Sequence, residues 1–287
     1  MKLDDQNSNP LRKYFRQPKI YLRLPSKGKF YPAGALDMPD NQELPVYPMT
    51  AKDELMMKTP DALINGQSTV DIIKSCVPNI KDPWKMPSID SDAVLIAIRL
   101  ATYGEKMDIT TKIPVIGDER TFQIDLRTLL DQLVNFNFNP YVSIGDELTV
   151  NLKPLTYKQF TDNSMRTFEE QRIFRIVNDE TIPEDQKLQA FSNSFKKLTD
   201  ITIDLVLNSV ESIDTAEQTV ADKRMIKEFF NNADNTVFDK ILKHLQTMKE
   251  GYTIKPLKVI SPLEDVERGA PEEFEIPVTF DQSTFFG

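Results

Sequence analysis

The chain has 287 residues, 40% of them hydrophobic and 28% charged, with a formal net charge of -9. Those values exclude a disordered or a fibrous chain, and the length allows one large or two modest domains with a sizeable core. Cys76 is the one cysteine and cannot form an internal disulfide, Met1 to Arg16 has no apolar signal core, and the longest apolar run, Ala93 to Ala101, contains Arg99 and is too short to cross a bilayer, so the expectation is an intracellular protein outside the membrane.

The charge is unevenly placed. Residues 1–30 hold Lys2, Arg12, Lys13, Arg16, Lys19, Arg23, Lys27 and Lys29 against Asp4 and Asp5, which leaves the acidity to the body. Only Tyr14, Phe15 and Tyr21 accompany these cations, too few for a stacking platform, so the segment reads as a solvated or partner-docking arm and no nucleic acid is expected.

In chain order, Ile20, Leu22 and Leu24 alternate with Tyr21 and Arg23, which predicts a short strand. Pro25-Ser26-Lys27-Gly28 forms a turn, Pro32 to Pro39 a proline-rich loop, and Leu44 to Tyr47 a second extended piece. Thr50 with Asp53 has the form of a capping box and opens a helix through Leu55 and Met56 to Lys58. Thr59, Pro60 and Gly66 bracket another helix, and Ser68 with Asp71 opens a third, carrying Val70, Ile73 and Val77 and stopped by Pro78.

The segment Asp92 to Tyr103 is apolar on nearly every side and closes on Gly104, which predicts a central buried helix. Met107, Ile109, Thr111 and Ile113 alternate, Gly117-Asp118 turns, and Phe122, Ile124 and Leu126 alternate again as a hairpin. A short helix over Arg127 to Leu133 and a strand at Leu148, Val150 and Leu152 follow.

From Thr156 the pattern turns helical. Thr156 with Gln159 caps a helix bearing Tyr157, Phe160 and Phe168, and Pro183-Glu184 opens one with Leu188, Phe191, Phe195 and Leu198 at helical spacing. Two more helices are expected around Thr215 to Phe230 and Thr236 to Lys249. Extended pieces then return at Tyr252 to Ile254 and Leu257 to Ile260, facing Phe274, Ile276, Val278 and Phe280 across Ser261 to Pro271. The hairpins beginning at Lys112 and Leu257 share an apolar arm, an acidic, arginine-bearing tip and an FxI return. Two readings stand: the hairpins pair into one sheet with the helices inserted between them, the reading preferred here, or they only share common hairpin chemistry.

The expected fold is therefore α+β, antiparallel hairpins plus a mostly helical central and C-terminal region, with no parallel Rossmann-type sheet. Its segments are a flexible basic arm over 1–19, a mixed α+β domain over 20–152 ending in a hairpin and strand, a helical region over 153–250, and a C-terminal β-hairpin and tail over 251–287.

Reactive chemistry is sparse. His244 is the single histidine, so neither a serine or cysteine triad with a histidine base nor a histidine-rich metal site is expected, and its place beside a helix end favours a surface or boundary role. Cys76, next to Val77 on an amphipathic helix, packs as a half-buried apolar group. No GxxxxGK[ST] or GxGxxG loop occurs. Carboxylate pairs such as Asp90 with Asp92, or Glu169 with Glu170, sit at helix starts or on charged faces beside Arg172 and Arg175, where solvated surface is the better reading than a glycosidase acid and base. Trp84 and the Met56-Met57 pair are either core or partner anchors, core being the commoner fate.

LPSKGKFYP from Leu24, PMTAKDELMMKTPDALINGQSTVDIIKSCVPNI from Pro48, the helix ending ATYG and the closing VTFDQSTFFG together resemble the baseplate hub assembly proteins of contractile-tailed, T-even-like bacteriophages. LKPLTYKQF from Leu152 and FEEQRIFRIVNDE from Phe168 add to the resemblance, and none of these is a catalytic signature. The resemblance implies a protein that builds the baseplate hub in the host cytoplasm, with phage hub or tail proteins as partners. Similar proteins often carry CPxC pairs suited to a zinc ribbon. Here Ile113-Pro114-Val115-Ile116 and Ile260-Ser261-Pro262-Leu263 supply no thiolate, so neither a structural metal nor a cofactor is expected.

The leading expectation is a non-enzymatic assembly factor whose partner contacts include Leu24, Pro25, Lys27, Met56, Met57, Trp84, Phe285 and Phe286. A structural subunit retained in the virion baseplate is the second reading and a hub-associated cell-wall hydrolase the third. The oligomeric state is left open.

Overall fold

The computed structural model describes residues 9–57, 66–171 and 183–278. The helix expected from Thr59, apart from Gly66, lies outside them, as does the closing FFG. The fold is α+β, with small antiparallel sheets and no parallel Rossmann-type sheet.

The N-terminal half is built around one helix. Strand β1 (Ile20–Leu22) pairs antiparallel with β2 (Leu44–Val46), and the alternation seen in sequence buries Leu22, Leu24, Leu44 and Val46. Helices α1 (Ala51–Met57) and α2 (Gln67–Cys76) follow, and then α3 (Ser88–Tyr103). Most of α3 is buried, including Val94, Ile96, Ile98 and Leu100, because β1, β2, α2 and two later helices cover it from several sides. Gly104 closes it at φ 92, a conformation that a side chain would strain.

The capping box at the start of α1 forms as expected. Thr50 N–H donates to Asp53 Oδ2 at 2.8 Å and Asp53 N–H to Thr50 Oγ1 at 3.2 Å. The same buried carboxylate also accepts from Ser75 Oγ (2.9 Å) and lies 3.3 Å from the Arg16 guanidinium, which donates in addition to the Ser75 carbonyl at 2.7 Å. A carboxylate removed from water needs a paired cation, so the segment expected to be a flexible arm over 1–19 is in fact tied down at Arg16.

Next come β3 (Lys106–Lys112) and β4 (Glu119–Asp125), joined in the expected hairpin. Helix α4 (Leu126–Val134) starts where Asp125 accepts from Arg127 N–H at 2.9 Å, and it buries Leu126, Leu129, Leu130 and Leu133 at helical spacing.

A second core forms around a four-stranded antiparallel sheet, β5 (Tyr141–Ile144), β6 (Leu148–Leu152), β7 (Val210–Asp214) and β8 (Thr219–Val220), in that order. Helices α5 (Tyr157–Gln171), α6 (Glu184–Ser209), α7 (Lys223–Asn232) and α8 (Asn235–Tyr252) complete this half. Val142, Val150, Leu152, Val206, Val210, Ile213, Ile226 and Ile241 form its buried centre.

This division differs from the expected one. The strand at Leu148 to Leu152, assigned to the 20–152 domain, pairs with β7 and belongs to the second core, while the supposedly helical 153–250 region contains two strands. The helix expected from Thr215 begins at Lys223, because Thr215 makes a turn with Gln218 (N–H to carbonyl, 2.9 Å) and Asp222 caps the helix by accepting from Arg224 N–H at 2.8 Å. Tyr252 ends α8 instead of opening a strand.

The chain then returns to the first core through Ile254 and Leu257. Strands β9 (Leu257–Ile260) and β10 (Glu273–Ile276) pair antiparallel, with the short helix α9 (Leu263–Glu267) between them. The preferred reading of one shared sheet is corrected here, since β3–β4 and β9–β10 are separate two-stranded ladders. Side chains join them instead. Phe122 meets Phe274 edge to face at 5.5 Å, Arg120 makes a two-point contact with Asp265 at 2.8 and 2.9 Å, and Arg268 pairs with Asp118. The hairpins therefore meet through side chains, with no main-chain ladder between them among the described residues.

The hydrogen bonds from Arg120 hold the Asp265 carboxyl below its ordinary range, so the folded state binds that proton less readily than the unfolded chain and the contact stabilises the fold above the ordinary aspartate pKa. Asp265→Asn is expected to lower the urea midpoint at neutral pH, with the difference from wild type closing as the pH falls below the ordinary aspartate range. An equal deficit at every pH would show that charge pairing is not what joins the hairpins.

Candidate functional site

Just after β1, the chain folds over the start of α3. Ser26 donates through N–H to Asp90 Oδ1 (2.7 Å) and through Oγ to Asp90 Oδ2 (2.6 Å), and Tyr31 Oη donates to Oδ2 at 2.9 Å. Asp90 is wholly buried in the first turn of the helix, where the helix dipole also favours a negative group. Burial raises its pKa to about 6 against the opposing effect of its donors. The solvated-surface reading of this carboxylate is therefore corrected. A donor loop some sixty residues upstream folds over it, and nothing adjacent in sequence signals that.

The loop pays for the arrangement in backbone strain: Lys27 (φ 55) and Phe30 (φ 69) occupy the left-handed region along with Gly28. A Cβ on Gly28 would stand 2.5 Å from Met38 Cε. Of the three contact residues expected here, Leu24 and Pro25 are buried in the body and only Lys27 is exposed.

Met56 is half-buried against the first core, and the Met57 side chain lies outside the described set. Trp84 is also half-buried, 5.7 Å from the Tyr157 ring and with the Lys158 ammonium 5.4 Å from its own ring. Phe285 and Phe286 lie outside the described residues.

The reactive residue types are occupied structurally. His244 Nε2 contacts the Asn139 carbonyl at 2.9 Å on the surface. Cys76 is fully buried, not half-buried, and burial pushes its thiol up to about 12, far from a thiolate at neutral pH. Glu170 pairs with Lys197 at 2.9 Å, and Arg172 and Arg175 lie outside the described residues. Among the described residues no group of three or more His, Cys, Asp or Glu side chains is placed to hold a metal ion.

Part of the exposed surface is apolar. Helices α5 and α6 run antiparallel, linked by Arg166–Asp204 (3.1 Å) and Lys197–Glu170 (2.9 Å). Helix α6 buries only Ile201, Val206 and Ser209, all near its C-terminal end. Its first seventeen residues, about 25 Å of helix, form an arm with no fully buried residue. Along this arm Leu188 is 73% exposed, Phe191 45% and Phe195 65%, beside Phe168 on α5 at 68%. Phe191 and Phe195 stack with centroids 6.4 Å apart. The sequence displayed this stripe at helical spacing, but spacing alone does not say whether a partner helix covers it.

A smaller exposed apolar group lies at the hairpin tips, where Val115, Ile260 and Leu263 are each at least 75% exposed. Val115 has φ 74, which is strained for a β-branched residue.

A family model described as "T4 bacteriophage base plate protein" matches residues 9–261, most of the chain. The protein belongs to that family. No curated protein and no solved structure matches it.

Asp90 provides a check on the site. Its raised pKa means that the folded baseplate protein holds the proton more tightly than the unfolded chain between the ordinary aspartate value and about pH 6, so stability rises as pH falls through that window. Chemical denaturation of wild type and Asp90→Asn from pH 7 to 5 is expected to show wild type gaining on the order of 1 kcal/mol relative to the variant. A flat difference would mean that the carboxylate is not buried as described.

Proposed function

We propose that this baseplate protein is a non-enzymatic assembly factor that binds hub subunits during baseplate morphogenesis in the host cytoplasm. The observation that supports the reading best is the uncovered phenylalanine stripe of α6. Monomeric proteins seldom leave several large apolar side chains contiguous and exposed, and aromatic rings on a rigid helix make effective anchors because little entropy is lost when they are covered. The settings of Cys76 and His244 support the non-enzymatic part, since one is an inert buried thiol and the other is engaged by a backbone carbonyl. Partners are phage hub or tail proteins. No described helix is long and apolar enough to cross a membrane.

Phe191→Ser with Phe195→Ser tests the proposal in phage carrying the altered gene. The double variant is expected to melt at the wild-type temperature, because neither ring contributes to a core, yet to leave baseplates without hubs in lysates viewed by electron microscopy. Normal hub assembly by the variant overturns docking through the arm. Mass spectrometry of purified virions is expected to find the protein absent, and a stoichiometric presence would make it a retained subunit instead.

A further inference from the structure

A cleft of about 680 Å³ separates the Ser26–Phe30 turn from the outer face of the β5–β6–β7 sheet. We propose that it binds an extended acidic peptide segment of a protein partner. The proposal rests on the assembly reading only in taking that partner to be a protein.

Lys27 and Lys29 line one wall, and among the described residues neither ammonium has a hydrogen bond or an ion pair. They belong to the basic first thirty residues of an otherwise acidic chain, so the cleft has a local positive wall. Their placement is imposed by the fold, since the Asp90 hydrogen bonds hold the turn in a conformation that costs strain at Lys27 and Phe30. Strain that the surrounding structure maintains, beside unpaired cations and facing a cavity of ligand size, is the pattern of a binding loop.

The opposite wall is the polar face of the sheet. Tyr141 lies across from Asn151 and Asn151 across from Ser212, while Val142, Val150 and Ile213 turn inward to the core. Asn151 Nδ2 donates to Ser212 Oγ at 2.9 Å and to Asp214 Oδ2 at 2.8 Å, which fixes a row of acceptors and hydroxyls. This wall suits the N–H groups of a peptide backbone, and the lysine wall suits its carboxylates. Glu211 and Asp214 also line the sheet wall, so a ligand's negative groups must stay on the lysine side, which an extended peptide with spaced carboxylates can satisfy and the continuous phosphates of a nucleic acid cannot.

The test uses the full-length protein and an array of short overlapping peptides covering the phage's other tail and baseplate proteins. Retained peptides are expected to be rich in Asp and Glu. Their affinity, read by fluorescence anisotropy, should fall about tenfold or more in Lys27→Glu with Lys29→Glu, consistent with loss of a charge-assisted contact. Lys27→Arg with Lys29→Arg should retain binding, and all forms should share one melting temperature. Retention of no acidic peptide, or unchanged affinity in the charge-reversed variant, overturns the proposal. Tighter binding of an oligothymidylate than of any peptide overturns it in favour of nucleic acid. If the phenylalanine variants abolish hub assembly while no acidic peptide is retained, the cleft proposal falls and the assembly proposal stands.

Discussion

A carboxylate stripped of water must be met by donors, and among the described residues those that meet Asp90 come from residues 26 to 31. That requirement brings the segment after β1 down onto the first turn of α3 and holds Lys27 and Phe30 in the left-handed region. It also sets the position of Phe30, whose ring meets Phe138 edge to face at 5.5 Å. Phe138 packs against the second core, so one buried charge shapes a turn, a cleft wall and part of the joint between the two halves.

Elsewhere the joint combines the Trp84–Tyr157 ring contact at 5.7 Å with backbone bonds: Ser88 N–H donates to the Leu155 carbonyl at 2.8 Å and Tyr157 N–H to the Met86 carbonyl at 2.7 Å. Buried backbone bonds are costly to break without replacement, so the root of α5 is fixed relative to α3. Helix α6 is anchored at its C-terminal end, where Val206 is buried in the second core. The aromatic stripe thus projects from a rigid base, and a partner meeting it does not first have to order the arm.

Local patterns in the sequence were read well where the governing interaction is itself local. The capping boxes at Thr50 and Thr156, the β3–β4 hairpin and the all-round apolar α3 each depend on residues only a few positions apart, or on a composition visible in one window. The failures share a different cause. Strand β7 follows directly from a long helix at Ser209, and its partner β6 lies some sixty residues earlier, so only tertiary pairing reveals it. Asp90 looked like ordinary helix-start chemistry because the donors at Ser26 and Tyr31 are equally distant. Arg16 looked like part of a solvated basic arm because its buried acceptor, Asp53, had already been assigned to a cap. In the candidate site, the spacing of Leu188, Phe191 and Phe195 was legible and their exposure was not, since exposure depends on what the remainder of the chain leaves uncovered.

The size of the stripe bears on how long a partner would stay. Leu188, Phe191 and Phe195 on the arm with Phe168 on α5, about half to three-quarters exposed, offer on the order of 400–500 Å² for burial at roughly 150–250 Å² per aromatic side chain and less for leucine. A standard stable interface uses about 800 Å² on each partner. The arm alone therefore falls in the range of transient contacts, which suits a factor that engages a hub subunit and is later displaced better than a subunit locked permanently into place. A lasting complex would have to recruit further surface, and the strained, exposed Val115 with Ile260 and Leu263 at the hairpin tips lies in the other half of the molecule, on elements joined by the Arg120–Asp265 contact. A partner bound only through the arm can leave without disturbing those hairpins, whereas one bound through both would have to release two surfaces at once, and its dissociation would be slower by the effective concentration that the first contact maintains at the second.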